Sequence, residues 1–430
     1  MTVLLHRLRL VQPRTHILLI AAVTFIALLV SAGVRSVPGV LMVPLRISFG
    51  WDRATISLAA AVGIFLYGLV GPFAAAVMVS FGIRRTMLGG LALMAAATFS
   101  SLWMTAPWHY ILAWGVFSGL GTGAVASVLG AAVINRWFAT RQGLMMGILS
   151  ASTATGSLVF LPVLAWLSHQ VVWRPVVLTV SLACLVLLPI IAIIVPEHPA
   201  DIGTQRFGEQ SDTPAPRPLR QARTAGLAIE TLFRAARRPI FWLLFGTFFV
   251  CGFTTNGLVG THLIAYCGDA GVAPVAAAGL LSMMGLFDLI GTTASGWLTD
   301  RYNPRILLTI YYGLRGASLI VLPFVSFDAT HLSIFAVIYG LDWIATVPPT
   351  VKLANQSFGE QDAPIVFGWV AMGHQLGAAV AAFGAGLVRQ NSGSYTPIFV
   401  LAGFLAMIAS ATLLMSLKSS LRASPTGALI

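Results

Sequence analysis

The sequence predicts an all-α membrane protein, with twelve transmembrane helices arranged as two six-helix bundles. Three observations carry that prediction. The 430 residues are 57% hydrophobic and only 9% charged, with mean hydropathy +0.88, whereas a water-soluble domain carries about a quarter charged residues. The apolar residues come in blocks of roughly twenty, the length of a helix that crosses hydrocarbon. The basic residues fall between those blocks, dense in one loop and sparse in the next.

In chain order the predicted spans cover residues 16–44, 53–79, 85–104, 108–134, 143–167 and 174–195, then 240–265, 274–298, 305–325, 331–351, 364–388 and 397–417. The basic start (His6, Arg7, Arg9, Arg14) followed by an apolar run resembles a signal peptide. The run is too long for a signal's apolar core and leads into further spans, so an uncleaved first helix is expected. With both termini placed in the cytoplasm, the inside segments hold 19 of the 25 Lys and Arg. Arg46, Arg53, Arg174 and Arg389 fall outside, while Arg35 and Arg315 lie within spans. This asymmetry follows the positive-inside rule. It also accounts for the net charge of +12 without a nucleic-acid partner, because the charge is spread over loops of one face. Short loops and a compact linker suggest a bacterial inner membrane.

Residues 196–238 differ from the rest. Pro196, Pro199, Pro214, Pro216 and Pro218 stand among Glu197, Asp201, Glu209, Asp212 and many Arg. The stretch reads as a cytoplasmic linker between an N-terminal bundle (1–195) and a C-terminal bundle (239–430). Its end, Gly226 to Arg238, has amphipathic character and suits a helix on the membrane surface. The halves look like repeats: one offset of 221 residues pairs Arg84 with Arg305, Gly119 with Gly340, Gly147 with Gly368 and Gly156 with Gly377. Repeated bundles around a midplane site are common in secondary transporters.

After the eighth span comes Gly296-Trp-Leu-Thr-Asp-Arg-Tyr-Asn-Pro-Arg305. This resembles the Gly-x-Leu-x-Asp-Arg-x-Gly-x-Arg gating loop of the major facilitator superfamily, and the resemblance assigns Asp300, Arg301 and Arg305 to bracing helix ends. The first-half counterpart, Val79-Ser-Phe-Gly-Ile-Arg-Arg85, keeps the glycine and arginines but has Val79 and Ser80 where Asp and Arg would stand. A narrower resemblance, to bacterial relatives of monocarboxylate porters and oxalate/formate antiporters, rests on Trp137-Phe-Ala-Thr-Arg-Gln-Gly-Leu-Met-Met-Gly-Ile-Leu-Ser-Ala-Ser-Thr-Ala-Thr-Gly156. It places Arg35 where those porters carry a first-helix cation. It places Asp288 where they carry an eighth-helix Asp that takes part in proton coupling. Those porters have an Arg one turn later, and this chain has Thr292.

Buried ionisable residues mark function because charge in hydrocarbon is costly. Asp288 stands midway in the eighth span, where desolvation favours its protonated form and a neighbouring arginine opposes that. Arg35, before Pro38, cannot lose its proton. It therefore needs an anion, which a guanidinium binds in bidentate geometry, or it snorkels to the interface. Arg315 and Asp342 fall mid-span in helices nine and ten. They either form a static pair, or Arg315 turns to Asp288 in place of the arginine missing at Thr292. His374, beside Gln375, is a candidate to hold a proton or bond a substrate, or else a satisfied packing residue. His262 and Asn256 have weaker claims of the same kind. By the 221 offset Asn256 matches Arg35, and Tyr67 matches Asp288, which makes Tyr67 a candidate cavity hydroxyl or a packing ring.

Gly119-Leu-Gly-Thr-Gly123 superficially resembles a phosphate-binding loop, but it lies in an apolar span with no preceding strand, so close helix packing is the better explanation. Lys352 reads as an interface anchor. Cys184, Cys251 and Cys267 show no metal or disulfide spacing and read as small packing residues. No Walker A sequence, metal-ligand cluster or nucleophile motif supports ATP-driven transport, a cofactor or an enzyme.

The leading reading is a monomeric secondary transporter of a small organic anion, a monocarboxylate, coupled to protons by alternating access. Arg35, Tyr67, Asn256 and His374 would bind substrate, and Asp288, Arg315 and Asp342 would handle the proton. The alternatives are an exporter of apolar or cationic compounds and a non-transporting membrane sensor.

Overall fold

The computed structural model describes residues 13–167, 173–209 and 224–422. Among these, nearly everything is helical, and the single strand-like contact is an isolated bridge between Phe138 and Phe207. A helix satisfies its own backbone donors and acceptors, as a lipid-embedded segment must. The N-terminal basic residues His6, Arg7 and Arg9 lie outside the described residues, as do residues 210–223.

The crossing helices, in order, are α1 (Pro13–Phe49), α2 (Arg53–Phe81), α3 (Ile83–Ser100), α4 (Pro107–Trp137), α5 (Gln142–Leu167) and α6 (Arg174–Ile194). After the linker come α7 (Pro239–Asp269), α8 (Pro274–Arg301), α9 (Pro304–Val321), α10 (329–358), α11 (360–392) and α12 (Thr396–Arg422). The run Val347–Ser392 is two helices, because Gly359 takes φ 78° and ends α10 before α11 begins. That left-handed φ is open to glycine at little cost. Pro107, Pro239, Pro274 and Pro304 each start a helix, where their missing N–H has no intrahelical role. α1 runs unbroken through Pro38 and Pro44 for 37 residues, about 55 Å of helix.

Two predicted spans are not continuous. α4 is interrupted at Val125 (φ −109°, ψ 59°) and resumes as Ser127–Trp137. α10 stops at Asp342 and resumes at Val347. The two breaks occupy matching places under the 221-residue offset.

The same offset governs packing. A Cβ added to Gly119 would lie 2.9 Å from the Cα of Gly63, and one added to Gly340 would lie 2.8 Å from the Cα of Met284. α4 thus packs on α2 as α10 packs on α8. Gly156 of α5 abuts Leu29 and Ala32 of α1, as Gly377 of α11 abuts Phe249 and Phe253 of α7. Between the bundles, Gly147 of α5 meets Thr292 and Gly296 of α8, and Gly368 of α11 meets Gly71 and Pro72 of α2. These small residues let backbones approach where lipid offers no hydrophobic drive between helices. Gly119, Gly121 and Gly123 are therefore packing surfaces, Gly121 against Gly90 and Met94 of α3.

The start of the linker is folded rather than loose. Phe207 donates its N–H to Trp137 O (2.8 Å), and its carbonyl accepts from Ala139 N (3.0 Å). Arg206 pairs with Glu209 and, across to the α10–α11 corner, with both oxygens of Glu360 (2.9 and 2.8 Å). The helix Thr224–Ala236 buries Leu227, Ala228, Thr231 and Ala235 and exposes Ile229 and Phe233. Arg234 ties it to Asp362 at 3.0 Å.

Candidate functional site

The arginine-rich face, where Arg84, Arg136, Arg141 and Arg206 lie, is closed by direct contacts between the bundles. Asp300, at the end of α8, accepts from the N–H groups of Gly143 (2.7 Å) and Leu144 (2.9 Å). A carboxylate there meets the orphan donors and positive dipole end of α5. Asn135 of α4 and Asn355 of α10 exchange reciprocal amide hydrogen bonds of 2.9 and 2.6 Å. Lys352 donates to the carbonyl of Thr299, so it is more than an interface anchor. Arg301 lies over its own Trp297 ring at 3.8 Å. Arg305 is set by Asn303, which accepts from its backbone N–H at 2.9 Å. Neither has an acidic partner among the described residues. In the first half, Glu197 takes the place of a loop acid: it accepts from Arg84 N (3.2 Å) and Arg85 N (3.3 Å) at the start of α3.

Deeper in, the two bundles carry opposite chemistry. In the N-terminal bundle, Arg35 is exposed, and its guanidinium carbon lies 4.3 Å from the centroid of the Tyr67 ring. A cation over an aromatic face is favourable, but it leaves the guanidinium donors free, and no acidic partner reaches Arg35 among the described residues. Tyr67 is held by α4, whose Gly123 packs on its backbone.

The C-terminal bundle buries the acids. Asp288 is 1% exposed. Its Oδ1 accepts from the Thr292 hydroxyl (2.6 Å) and from Ile344 N–H (3.0 Å). Its Oδ2 is buried with no partner among the described residues. Thr292, where the resemblance would have an arginine, is therefore a direct donor to the acid. Arg315 turns to Asp342: Nε to Oδ2 is 2.6 Å, and Nη2 donates to the carbonyls of Asp342 (2.5 Å) and Trp343 (3.2 Å). Of the two arrangements open from sequence, the Arg315–Asp342 pair is the one present.

Cys251 is a correction. It reads from sequence as a packing residue, yet its Sγ lies 3.0 Å from Arg315 Nη1 and 3.3 Å from Thr346 Oγ1, with His374 also within reach. Sequence spacing gives no hint of this, because 64 and 95 residues separate Cys251 from those two partners. His374 is half-buried beside the Phe248 ring at 5.3 Å, on the strip where α11 presses against Gly252 of α7. His262 bonds the carbonyl of Ala382 at 2.9 Å and is a satisfied packing residue. Asn256 is exposed, and its backbone carbonyl accepts from Thr261 at 2.8 Å. Arg35 and Asp288 do not touch: each is placed by its own bundle.

Helices long and apolar enough to cross a membrane thus carry an exposed guanidinium in one bundle and two buried acids with a buried guanidinium in the other. A family profile described as Major Facilitator Superfamily matches residues 24–382, and the chain belongs to that superfamily. It is 28% identical over 378 residues to monocarboxylate transporter 13 of Rattus norvegicus, covering 87% of this chain and 83% of that one. It is 27% identical over 366 residues to YcxA, an uncharacterized MFS-type transporter of Bacillus subtilis, covering 82% and 84%. Among solved structures, the E. coli fucose:proton symporter FucP aligns with a TM-score of 0.68 at 15% identity, covering 91% of this chain and 98% of that one. The proton:xylose symporter XylE aligns at 0.67 and 14% identity, covering 94% and 96%. At such identities the structures speak for the fold alone.

Proposed function

We propose that the protein moves a small organic anion, a monocarboxylate, together with a proton, by alternating access in a bacterial inner membrane. The termini and the arginine-rich face would be cytoplasmic, and the chain would act as a monomer of two rocking units, 1–195 and 239–430. One observation carries the reading: an unpaired guanidinium, Arg35 over Tyr67, stands in one bundle, and a buried acid with a vacant oxygen, Asp288, stands in the other. A carboxylate substrate supplies the anion that Arg35 lacks. A proton on Asp288 removes a charge that is expensive at that depth. The relatives named monocarboxylate transporters support the substrate class. The contacts at Gly143, Gly147 and Asn135 support a state closed on the arginine-rich face. An exporter of cations is less well served, because Arg315 already occupies Asp342.

The test is flux of short-chain acids into proteoliposomes under an imposed pH gradient. Arg35→Ala should abolish uptake while the protein still inserts, and full uptake would end the role of Arg35. Asp288→Asn should remove gradient-driven accumulation. Accumulation that still follows the gradient would rule out Asp288 as the proton carrier.

A further inference from the structure

The break in α10 is where the C-terminal bundle concentrates its buried charge. Between Asp342 and Val347 the regular helix ladder is interrupted: Trp343 N–H bonds the carbonyl of Gly340 (3.1 Å) and Val347 N–H that of Ile344 (2.9 Å), while Trp343 and Thr346 keep right-handed helical angles, and the groups left over need protein partners. Side chains of neighbouring helices provide them. Asp288 of α8 takes the N–H of Ile344 at 3.0 Å. Arg315 of α9 holds the carbonyls of Asp342 and Trp343. Ser295 of α8 donates to the carbonyl of Ala345 at 2.5 Å. Around the matching break in α4, the offset puts Tyr67 on α2 and Met94 on α3 at the places of Asp288 and Arg315, so neither a carboxylate nor a guanidinium stands there.

We propose that Arg315 and Ser295 are positioning residues that hold the turn 343–346 of α10 out of the regular helix ladder, and that this turn is the hinge through which a proton on Asp288 reaches helix movement. The inference rests on the reading that Asp288 exchanges the coupling proton. The physical step is local. Hydrogen bonds to a carboxylate are roughly twice as strong as neutral ones. Protonation therefore weakens the hold on Ile344 N–H, while Arg315 and Ser295 keep the carbonyls on the other side of the turn. The donor side loosens and the acceptor side stays anchored, so the piece 347–358 swings about a fixed end. That piece carries Lys352 and Asn355, which close the arginine-rich face. The charged and titratable groups that act on Asp288 are Arg315 on α9, Cys251 on α7 and Asp342 on α10; Tyr311, Tyr339 and His374 join the cluster through Asp342, Arg315 and Cys251. α5, which packs on the far side of α8, contributes none.

Hydrogen exchange on the full chain in lipid nanodiscs, without substrate or gradient, tests this. Peptides spanning 339–350 are followed across a pH series, with rates corrected for the intrinsic pH dependence. In the unmodified protein, exchange at the Ile344 amide should rise about tenfold as Asp288 is protonated, the factor that about 1.4 kcal/mol represents. Asp288→Asn should give a rate fixed near the low-pH level. Ser295→Ala should raise exchange at every pH and keep the dependence. Should Asp288→Asn fail to fold, Thr292→Val, which removes the other donor to the same oxygen, should move the midpoint. A flat profile in the unmodified protein, or an unmoved midpoint in Thr292→Val, would overturn the hinge. A flat profile alongside gradient-dependent flux sinks the hinge alone. A pH-dependent profile alongside flux that ignores the gradient sinks the proton-carrier reading alone.

Discussion

Gly147→Ala puts a methyl group into the seam between α5 and α8. The new Cβ would lie 2.6 Å from the carbonyl oxygen of Thr292, 3.0 Å from the Cα of Gly296 and 3.3 Å from its nitrogen. All three neighbours are backbone, so no side chain can turn aside. The nearest approach falls about 0.8 Å short of ordinary contact at 3.4 Å. Overpacking of this kind costs about 1–3 kcal/mol. The contact exists only while the bundles touch on the arginine-rich face, so the cost falls on that state and not on its alternative. The equilibrium between them should shift roughly 5- to 150-fold toward opening of that face. Nitroxide labels at the exposed positions Thr140 and Tyr302 would report it as a longer distance distribution by pulsed electron resonance. Gly246→Ala is the control, since nothing lies within 4 Å of its added Cβ. An unchanged distribution in Gly147→Ala, or an equal change in Gly246→Ala, would refute the idea that this seam opens as a unit.

Three further outcomes follow from the same contacts. Arg315→Met strands the Asp342 charge and the Trp343 carbonyl and should destabilise the purified protein by about 3–5 kcal/mol; adding Asp342→Leu should recover part of that loss, and strictly additive effects in thermal melts would contradict a coupled pair. Arg206→Ala removes the tie from the linker to Glu360 and should cost under about 1 kcal/mol, the scale of an exposed pair, while speeding hydrogen exchange at Phe207; unchanged exchange there would show the linker is held by its strand-like contacts alone. Asp328 caps α10 by accepting from Thr330 N (2.9 Å) and His331 N (3.0 Å), and with Ser326 and His331 these bonds hold its carboxyl well below the usual range. A depressed folded value means the cap is fully present above about pH 4 and is lost as pH falls through the lower folded value. Exchange at the start of α10 should therefore rise only in strong acid, and a rise already near pH 5 would count against it.

Much of the fold is legible in the residues, for a reason specific to membranes. A segment in hydrocarbon has to be apolar and helical at once, so composition and length locate the helices together. The 221-residue repeat is legible too, because glycines recur wherever the same helix pairs must approach. What the pattern conceals is interruption. The break at Val125 lies in apolar text that reads as continuous helix, whereas the one at 343–346 is followed by Pro348 and Pro349 at the start of the resumed helix, a signal that hydropathy passes over. Charge is legible as rare and therefore meaningful, while its pairing is not. Arg315 had two acids within plausible reach by depth, and only rotation about the helix axis sends it to Asp342. Thr292 meets Asp288 one turn along the same helix, whereas Cys251 meets Arg315 only because their two helices pack together.

By itself, the sequence determined that this chain is a two-bundle helical membrane protein, which loops are basic, and which few ionisable side chains lie at depth. Only the tertiary structure decided how those side chains are spent: Arg35 left open over Tyr67, Arg315 closed on Asp342, and Asp288 set against the backbone of a broken helix. The division follows from range. Hydropathy and spacing act along one helix, whereas a buried charge is satisfied by whichever neighbouring helix presents a partner.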